Sequence, residues 1–357
     1  MTATITHRLD QIRREIVGWL FAFPAAKRIF FNRAKRLSCL FALATLTSLF
    51  LSLFFPLWVL ILGPMIYGFP HLIASLRYSH YSLSSNQPIS GHAQLKILSV
   101  WFAFSALGRL SYDLGFFKLQ SLPLGSPLPE ILFISITLLI TLWLYRKNAL
   151  SMLRGIVAVS VFAYFAWEFP RESLGTMILL HNLIAFGFWY SACSTRQEKI
   201  HAGLATLSFI TITAFIFLGL FDFLYQTITP QGQVLWAKLN FWNLGKDIIP
   251  WSKDYTLWWH AVVAYAFGQS LHYFVWLKAI PDECHDREIP TTFTRSWKLL
   301  KIDFGRTTFA IILFVVAGAA VWVIAAQPLA RLIYFSIAAF HGYSELVALS
   351  LAPIKRC

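Results

Sequence analysis

Charged residues are scarce in this chain. They make up 13% of its 357 residues, about half the share found in an ordinary soluble domain, whereas hydrophobic residues make up 57%. This composition excludes a typical soluble enzyme and indicates a protein embedded in a membrane. Basic residues outnumber acidic ones by 30 to 16. Because they stand between apolar runs rather than on one folded face, we expect no nucleic-acid partner.

The familiar motifs of soluble catalysis are also missing. The sequence contains no Gly-rich phosphate loop, no nucleophile elbow and no CxxC pair. The histidine boxes HxxxH and HxxHH of membrane di-iron hydroxylases and desaturases are absent too, which argues against a fatty-acid desaturase. The few cysteines lack metal-ligand spacing and are predicted to be free thiols, namely Cys39, Cys193, Cys284 and Cys357.

Long apolar runs dominate what the sequence does contain. Ten of them have the roughly 16 to 25 residues that a membrane-crossing helix needs, which predicts an all-α, polytopic bundle of about ten transmembrane helices. Gly63 and Pro64 are expected to form a tight turn between the first two. The predicted spans are Leu37–Leu62, Met65–His80, Ile97–Tyr112, Pro129–Tyr145, Met152–Phe169, Leu174–Cys193, Ala202–Leu224, Tyr255–Leu277, Thr307–Ala326 and Leu332–Ala352.

The basic residues predict the orientation of these spans. With the N-terminus inside, 23 of the 30 Lys and Arg fall on the cytoplasmic side, as the positive-inside rule expects. Both termini are then cytoplasmic, in an integral protein expected in a bacterial inner membrane. The chain divides into a cytoplasmic N-terminal segment (1–36), a transmembrane domain (37–352) and a cytoplasmic tail (353–357). The outer connection Tyr225–Asp254 is rich in tryptophan and is expected at the lipid interface.

The N-terminal segment has the pattern of an amphipathic helix. Its apolar residues recur at helical spacing beside arginines, which predicts a helix lying on an anionic membrane face. The alternative is a helix that packs on the protein's own cytoplasmic surface. The residues concerned are Leu9, Ile12, Ile16, Leu20 and Phe21, with Arg8, Arg13 and Arg14.

Four histidines fall inside apolar spans, where an imidazole is costly to bury. His71, His181, His272 and His341 lie on the second, sixth, eighth and tenth predicted spans, which all run from outside to inside. At a rise of about 1.5 Å per residue, three of them share one depth, whereas His272 is expected nearer the cytoplasm. His260, on the same span as His272, is its alternative. We interpret the four histidines as candidate metal ligands.

Two residues beside these histidines are candidate catalytic groups. Glu345 follows His341 by four residues, so both side chains can point the same way. A carboxylate in that position can bind a metal, orient a ligand or transfer a proton. Tyr78 follows His71 by seven residues and shares its helix face with Ser75.

The expected ligand set suggests a chemistry. Imidazoles without thiolates suit Fe, Cu, Zn or Ni. Within a bilayer the favoured interpretation is Fe(II) that activates O2, because O2 and an apolar lipid substrate are both enriched there; another transition metal is the alternative. Two further classes remain open, an intramembrane zinc hydrolase using His341 and Glu345 and a transporter or channel whose histidines relay protons or bind a substrate. No motif specifies an oligomeric state.

One short motif resembles a known family. The residues Gly68 to His71 read G-F-P-H, which is similar to the G-x-P-H element of the Brp/Blh-type membrane β-carotene 15,15'-dioxygenases. That resemblance implies a polytopic, histidine-rich, iron-dependent enzyme that cleaves a carotenoid oxidatively within the membrane. Among the residues of this chain it bears directly on His71 alone.

Overall fold

The computed structural model describes residues 2–68, 70–75, 78, 136, 139, 149–224, 252–284, 292–304, 310, 342 and 345, with four residue pairs between 234 and 249. Apart from short connections and one two-stranded ladder, these residues are helical, which confirms the all-α prediction. The helices are α1 (Thr2–Leu20), α2 (Pro24–Phe31), α3 (Arg33–Phe54), α4 (Pro56–Gly63), α5 (Ala149–Glu168), α6 (Pro170–Ala192), α7 (Arg196–Phe217), α8 (Tyr255–Phe274), α9 (Ile280–Cys284) and α10 (Phe293–Phe304).

Two of the described helices, α3 and α7, are long and apolar enough to cross a membrane. The helix α4 and the helical segment Ile66–Ser75 form a bent pair that passes the same criteria, which would make a third. These features are compatible with the predicted membrane location. Four of the ten predicted spans, the third, fourth, ninth and tenth, fall outside the described residues except for single positions.

The predicted boundary between the first two spans is wrong. The chain does not run straight to Leu62, because α3 ends at Phe54 and a new helix begins at Pro56. Proline lacks the backbone N–H that a continuing helix requires, whereas it is well placed at a first helical position. The chain also makes no tight turn at Pro64. A π-helical turn, Pro64–Gly68, leads on to Ile66–Ser75 with a bend of 44°.

The predicted fifth to eighth spans correspond to α5, α6, α7 and α8. The start of α7 is fixed by a reciprocal capping box, in which Thr195 accepts from the Glu198 backbone N–H and the Glu198 carboxylate accepts from that of Thr195. Its end comes earlier than predicted, at Phe217. Gly219 follows with a φ of 74°, the left-handed conformation that commonly stops a helix.

The helix α8 lies at the centre of the described bundle. It packs against α3, α4, α6 and α7, and most of its side chains are buried. It does not stop at the predicted Leu277, because a π-helical stretch, Val275–Ala279, carries it on into α9. Helix and extension together run to Cys284. Side chains on α8 therefore lie farther from the charged end of the helical run than the sequence predicts.

Described parts of the Trp-rich connection pack against the start of α8. Residues 234–235 and 239–240 form a two-stranded antiparallel ladder, and Leu244, Ile248 and Ile249 are buried. The Trp258 indole N–H donates to the Ile249 carbonyl at 3.2 Å. A side chain at Gly245 would lie 2.5 Å from Trp258 Cβ, so only glycine allows this close approach.

Buried ion pairs join the start of α3, the start of α7 and the end of α8–α9. Arg33 pairs with Glu198 and, at 3.3 Å, with Glu283. Arg36 pairs with Asp282 at 3.7 Å. Burial raises the pKa of the Glu283 carboxyl to about 7, against the opposing effect of Arg33. Because a buried charge is costly without its partner, the pairs that Arg33 and Arg36 form with Glu198 and Asp282 hold the three helix ends together.

Candidate metal centre

The segment Ile66–Ser75 delivers His71 into the bundle. Because the chain bends after the π-helical turn, the His71 side chain is buried at 1% exposure beside α8. His71 Nδ1 lies 2.6 Å from the Gly68 carbonyl oxygen. A carbonyl can only accept, so Nδ1 carries the proton and donates, and in the neutral ring Nε2 keeps its lone pair. This is the tautomer that a metal ligand needs.

His181 on α6 and His272 on α8 meet His71. The ring centroids of His71 and His272 lie 5.0 Å apart, and those of His181 and His272 lie 4.4 Å apart. One ring nitrogen from each histidine lies within 4.8 Å of the other two. Small rotations of the rings would let all three nitrogens bind one ion at about 2.1 Å. Among the described residues, these three therefore form a group that could hold a metal.

The depth predicted for His272 is wrong, and the length of its helix explains why. Since the helical run reaches Cys284, His272 lies ten residues before Asp282 in the charged end, about 15 Å along the axis. His181 lies twelve residues before Cys193, about 18 Å by the same rise. The two histidines thus lie at similar distances from the ends of their helices, and their contact places them in one layer.

His260, the alternative to His272, lies elsewhere. Its Nε2 is 2.7 Å from the Asp222 Oδ1, so it binds a carboxylate beyond the end of α7. Twelve residues, about 18 Å of helix, separate it from His272. The geometry thus selects His272 for the cluster and gives His260 a contact between α7 and α8.

Residues near the C-terminus complete the surroundings of His181. Glu345 is fully buried, and its Oε2 lies 3.6 Å from His181 Nδ1. A carboxylate at this nitrogen can orient the ring so that the other nitrogen faces the centre of the cluster. His341 lies outside the described residues, and its role as a ligand stays a prediction.

Two glycines allow the helices to approach at the cluster. A Cβ at Gly342 would lie 3.2 Å from His181 Nδ1. A Cβ at Gly268, one turn before His272, would lie 2.7 Å from Asn182 Nδ2, beside His181. The absence of both side chains lets α6 lie close against α8 and against Gly342.

Tyr273 is a site residue that the sequence reasoning missed. Its ring lies 4.8 Å from that of His71, and its hydroxyl accepts a hydrogen bond from Gln269 Nε2 at 2.7 Å. Its position directly after His272, with Gln269 one turn earlier, is the signal that could have found it. Tyr78, the predicted catalytic tyrosine, is buried within the main hydrophobic cluster, and its catalytic role stays a prediction.

Comparisons with known proteins give no match. No family model matches the chain, and no curated protein or solved structure is similar to it. The likeness at Gly68–His71 therefore stands on those four residues. The functional argument rests on the geometry around the three histidines.

Proposed function

We propose that this chain is a membrane-embedded oxygenase that holds a non-haem metal, Fe(II), with His71, His181 and His272. The observation that carries the proposal is the convergence of three buried imidazoles from separate helical segments. A site of neutral nitrogen ligands without thiolates suits iron. When bound, Fe(II) supplies the activation of O2. The chain's own residues orient the ligands, and we propose His341 as a fourth.

The proposed setting is a bundle of about ten spans in a bacterial inner membrane, with both termini cytoplasmic and α1 at the interface. The ion pairs support this orientation, since they join the ends of α3, α7 and α8–α9 that the positive-inside rule assigns to the cytoplasm. The opposite ends of α7 and α8 meet at the pair Asp222–His260. The histidine layer then lies about 15–18 Å from the cytoplasmic end, half of a hydrocarbon core about 30 Å thick.

An apolar substrate is proposed because aromatic rings lead from the surface to the cluster. Tyr67 is half exposed, and its ring lies 6.2 Å from that of Tyr273. Tyr273 in turn contacts His71. Aromatic surfaces of this kind suit a long, unsaturated hydrocarbon. Together with the Gly68–His71 motif, this favours a carotenoid among membrane lipids, with O2 as co-substrate.

Cells that accumulate β-carotene provide the test. Expression of the chain should bleach the orange colour and form an oxidised cleavage product, and His181→Ala should abolish both effects. The control His201→Ala, expressed at the same level, should retain both effects. It changes a histidine that forms a hydrogen bond with Ser38, away from the cluster. Persistent colour at verified expression of iron-loaded protein would refute the carotenoid substrate.

An intramembrane hydrolase is the second candidate, favoured by the position of Glu345. A buried carboxylate beside a histidine cluster is the arrangement that zinc hydrolases use for proton transfer. Purified protein that binds zinc in preference to iron would support this reading. Glu345→Gln would then abolish hydrolysis while the zinc content stays unchanged.

A further inference from the structure

Asp10 ties α1 to α10, although the two helices are far apart in the sequence. One carboxylate oxygen accepts from the backbone N–H of Phe293 at 2.7 Å. The other accepts from the backbone N–H of Thr294 at 3.1 Å and from its hydroxyl at 2.6 Å. Asp10 therefore caps the N-terminus of α10, where unpaired N–H groups favour a carboxylate. We call this contact the Asp10 clasp.

The face of α1 that carries Asp10 is turned toward α10, and the apolar face remains exposed. The stripe toward α10 consists of Thr6, Asp10, Arg13 and Val17, which are all at least partly buried. A second stripe at helical spacing is exposed to solvent, with Ile12 at 52% and Trp19 at 68%. Its members are Ile5, Leu9, Ile12, Ile16 and Trp19. This stripe requires an apolar surface to cover it.

Both helices also carry exposed cations. Arg8 is exposed at the edge of the apolar stripe on α1, and Arg295 and Lys298 are exposed on α10. Helix α10 adds exposed apolar side chains, among them Ile302 at 74%. Apolar residues bordered by Lys and Arg match a bilayer interface that carries anionic headgroups.

The chain holds α1 close to such an interface. Only residues 21–32 separate α1 from α3, and α3 is one of the helices able to cross a membrane. Within this connection Phe21 packs against Phe30 and Phe31, with ring centroids 5.1 and 5.5 Å apart. These contacts fold α1 back toward the start of α3. A bilayer surface is therefore within reach of the stripe.

We propose that α1 and α10, joined by the Asp10 clasp, form one surface that docks on the anionic phospholipid headgroups of the bilayer containing α3. The apolar stripe enters the interface and the flanking cations bind the headgroups. The clasp makes two helices that are far apart in the sequence dock as a unit. The inference rests on the proposed membrane location and not on the metal or the reaction, so either can fail without the other.

Spin-label accessibility in nanodiscs tests the docking. Single cysteines replace Ile12, on the apolar stripe, or Gln11, an exposed polar control on another face of α1, in a full chain whose native cysteines are serine. With phosphatidylglycerol present, the label at 12 should be reached by O2 from the lipid and the label at 11 by an aqueous nickel complex. Arg8→Glu with Arg295→Glu and Lys298→Glu should abolish this contrast. Equal exposure to nickel at both positions would overturn the proposal, as would shielding of position 12 from both reagents, which would show that protein covers the stripe.

A second label on α10 tests whether the clasp unites the two helices. With the label at Ile302→Cys, Asp10→Ala should shift the accessibility from O2 toward nickel, because α10 loses its tie to α1. The control Glu15→Ala should leave it unchanged. A label at 302 that stays at the same depth without the Asp10 carboxylate would overturn the single docking surface, even if α1 alone enters the interface.

Discussion

The sharpest structural prediction concerns Gly268→Ala. The new methyl group would lie 2.7 Å from Asn182 Nδ2, closer than real Cβ contacts come, and 3.2 Å from Asn182 Cγ, tighter than most of them. Rotating the amide relieves only the first contact, and Asn182 is buried at 2% exposure. Helices α6 and α8 must therefore separate by a few tenths of an ångström. Overpacking of this kind costs about 1–3 kcal/mol.

The same change should weaken metal binding. Gly268 is one turn from His272, and Asn182 adjoins His181, so the methyl group separates the helices that carry two of the three ligands. Disturbing the groups that orient a ligand typically lowers metal affinity by about 10–100-fold. Thermal unfolding of the detergent-solubilised chain and metal titration would measure both effects.

Matched variants make this prediction decisive. Gly203→Ala on α7 places its methyl group in open space, with nothing within 4 Å, and should be neutral or stabilising by up to about 1 kcal/mol. Adding Asn182→Ala to Gly268→Ala should recover part of the loss, because it removes the atoms that clash. Equal stability and metal affinity in Gly268→Ala and Gly203→Ala would refute the close approach of α6 and α8.

Three further predictions concern contacts away from the cluster. The Thr294 hydroxyl, with backbone N–H groups, lowers the pKa of Asp10 below its ordinary value despite some desolvation. The clasp should therefore stay closed at neutral pH and open as the pH falls through that lowered pKa, which should speed hydrogen exchange in α1. Asp10→Asn should remove this pH dependence. Burial raises the pKa of Glu283, so the free energy of unfolding should fall as the pH rises from about 4.5 to about 7, and Glu283→Gln should flatten that change in thermal scans. Asp222→Asn should weaken the contact with His260 and destabilise the chain by about 1 kcal/mol in denaturant titrations, without loss of metal.

Local patterns in the sequence predicted most of the described helices. Apolar runs between charged or proline-containing connections located α5 to α8, because hydropathy and helix boundaries act over neighbouring residues. The rarity of histidine in apolar spans drew attention to His71, His181 and His272. Counting residues along each span then placed His71 and His181 at a common depth, as their meeting requires.

The remaining features depend on contacts that no local pattern encodes. A glycine at position 268 predicts that another helix approaches closely, but only the structure shows that Asn182 is the residue opposite. Asp10 and Thr294 are 284 residues apart in the chain, so no local pattern predicts that they pair. The depth of His272 was missed because polar residues after Leu277 suggested a helix end, whereas buried ion pairs allow the helix to continue.

Metal content in two histidine variants of α8 tests the central claim most directly. The full-length protein, purified after expression with iron, should contain about one transition-metal ion per chain. His272→Ala should lose it, whereas His260→Ala, the same change twelve residues earlier on the same helix, should retain it. Equal metal content in the two variants, or folded wild-type protein that binds no transition metal, would contradict the account.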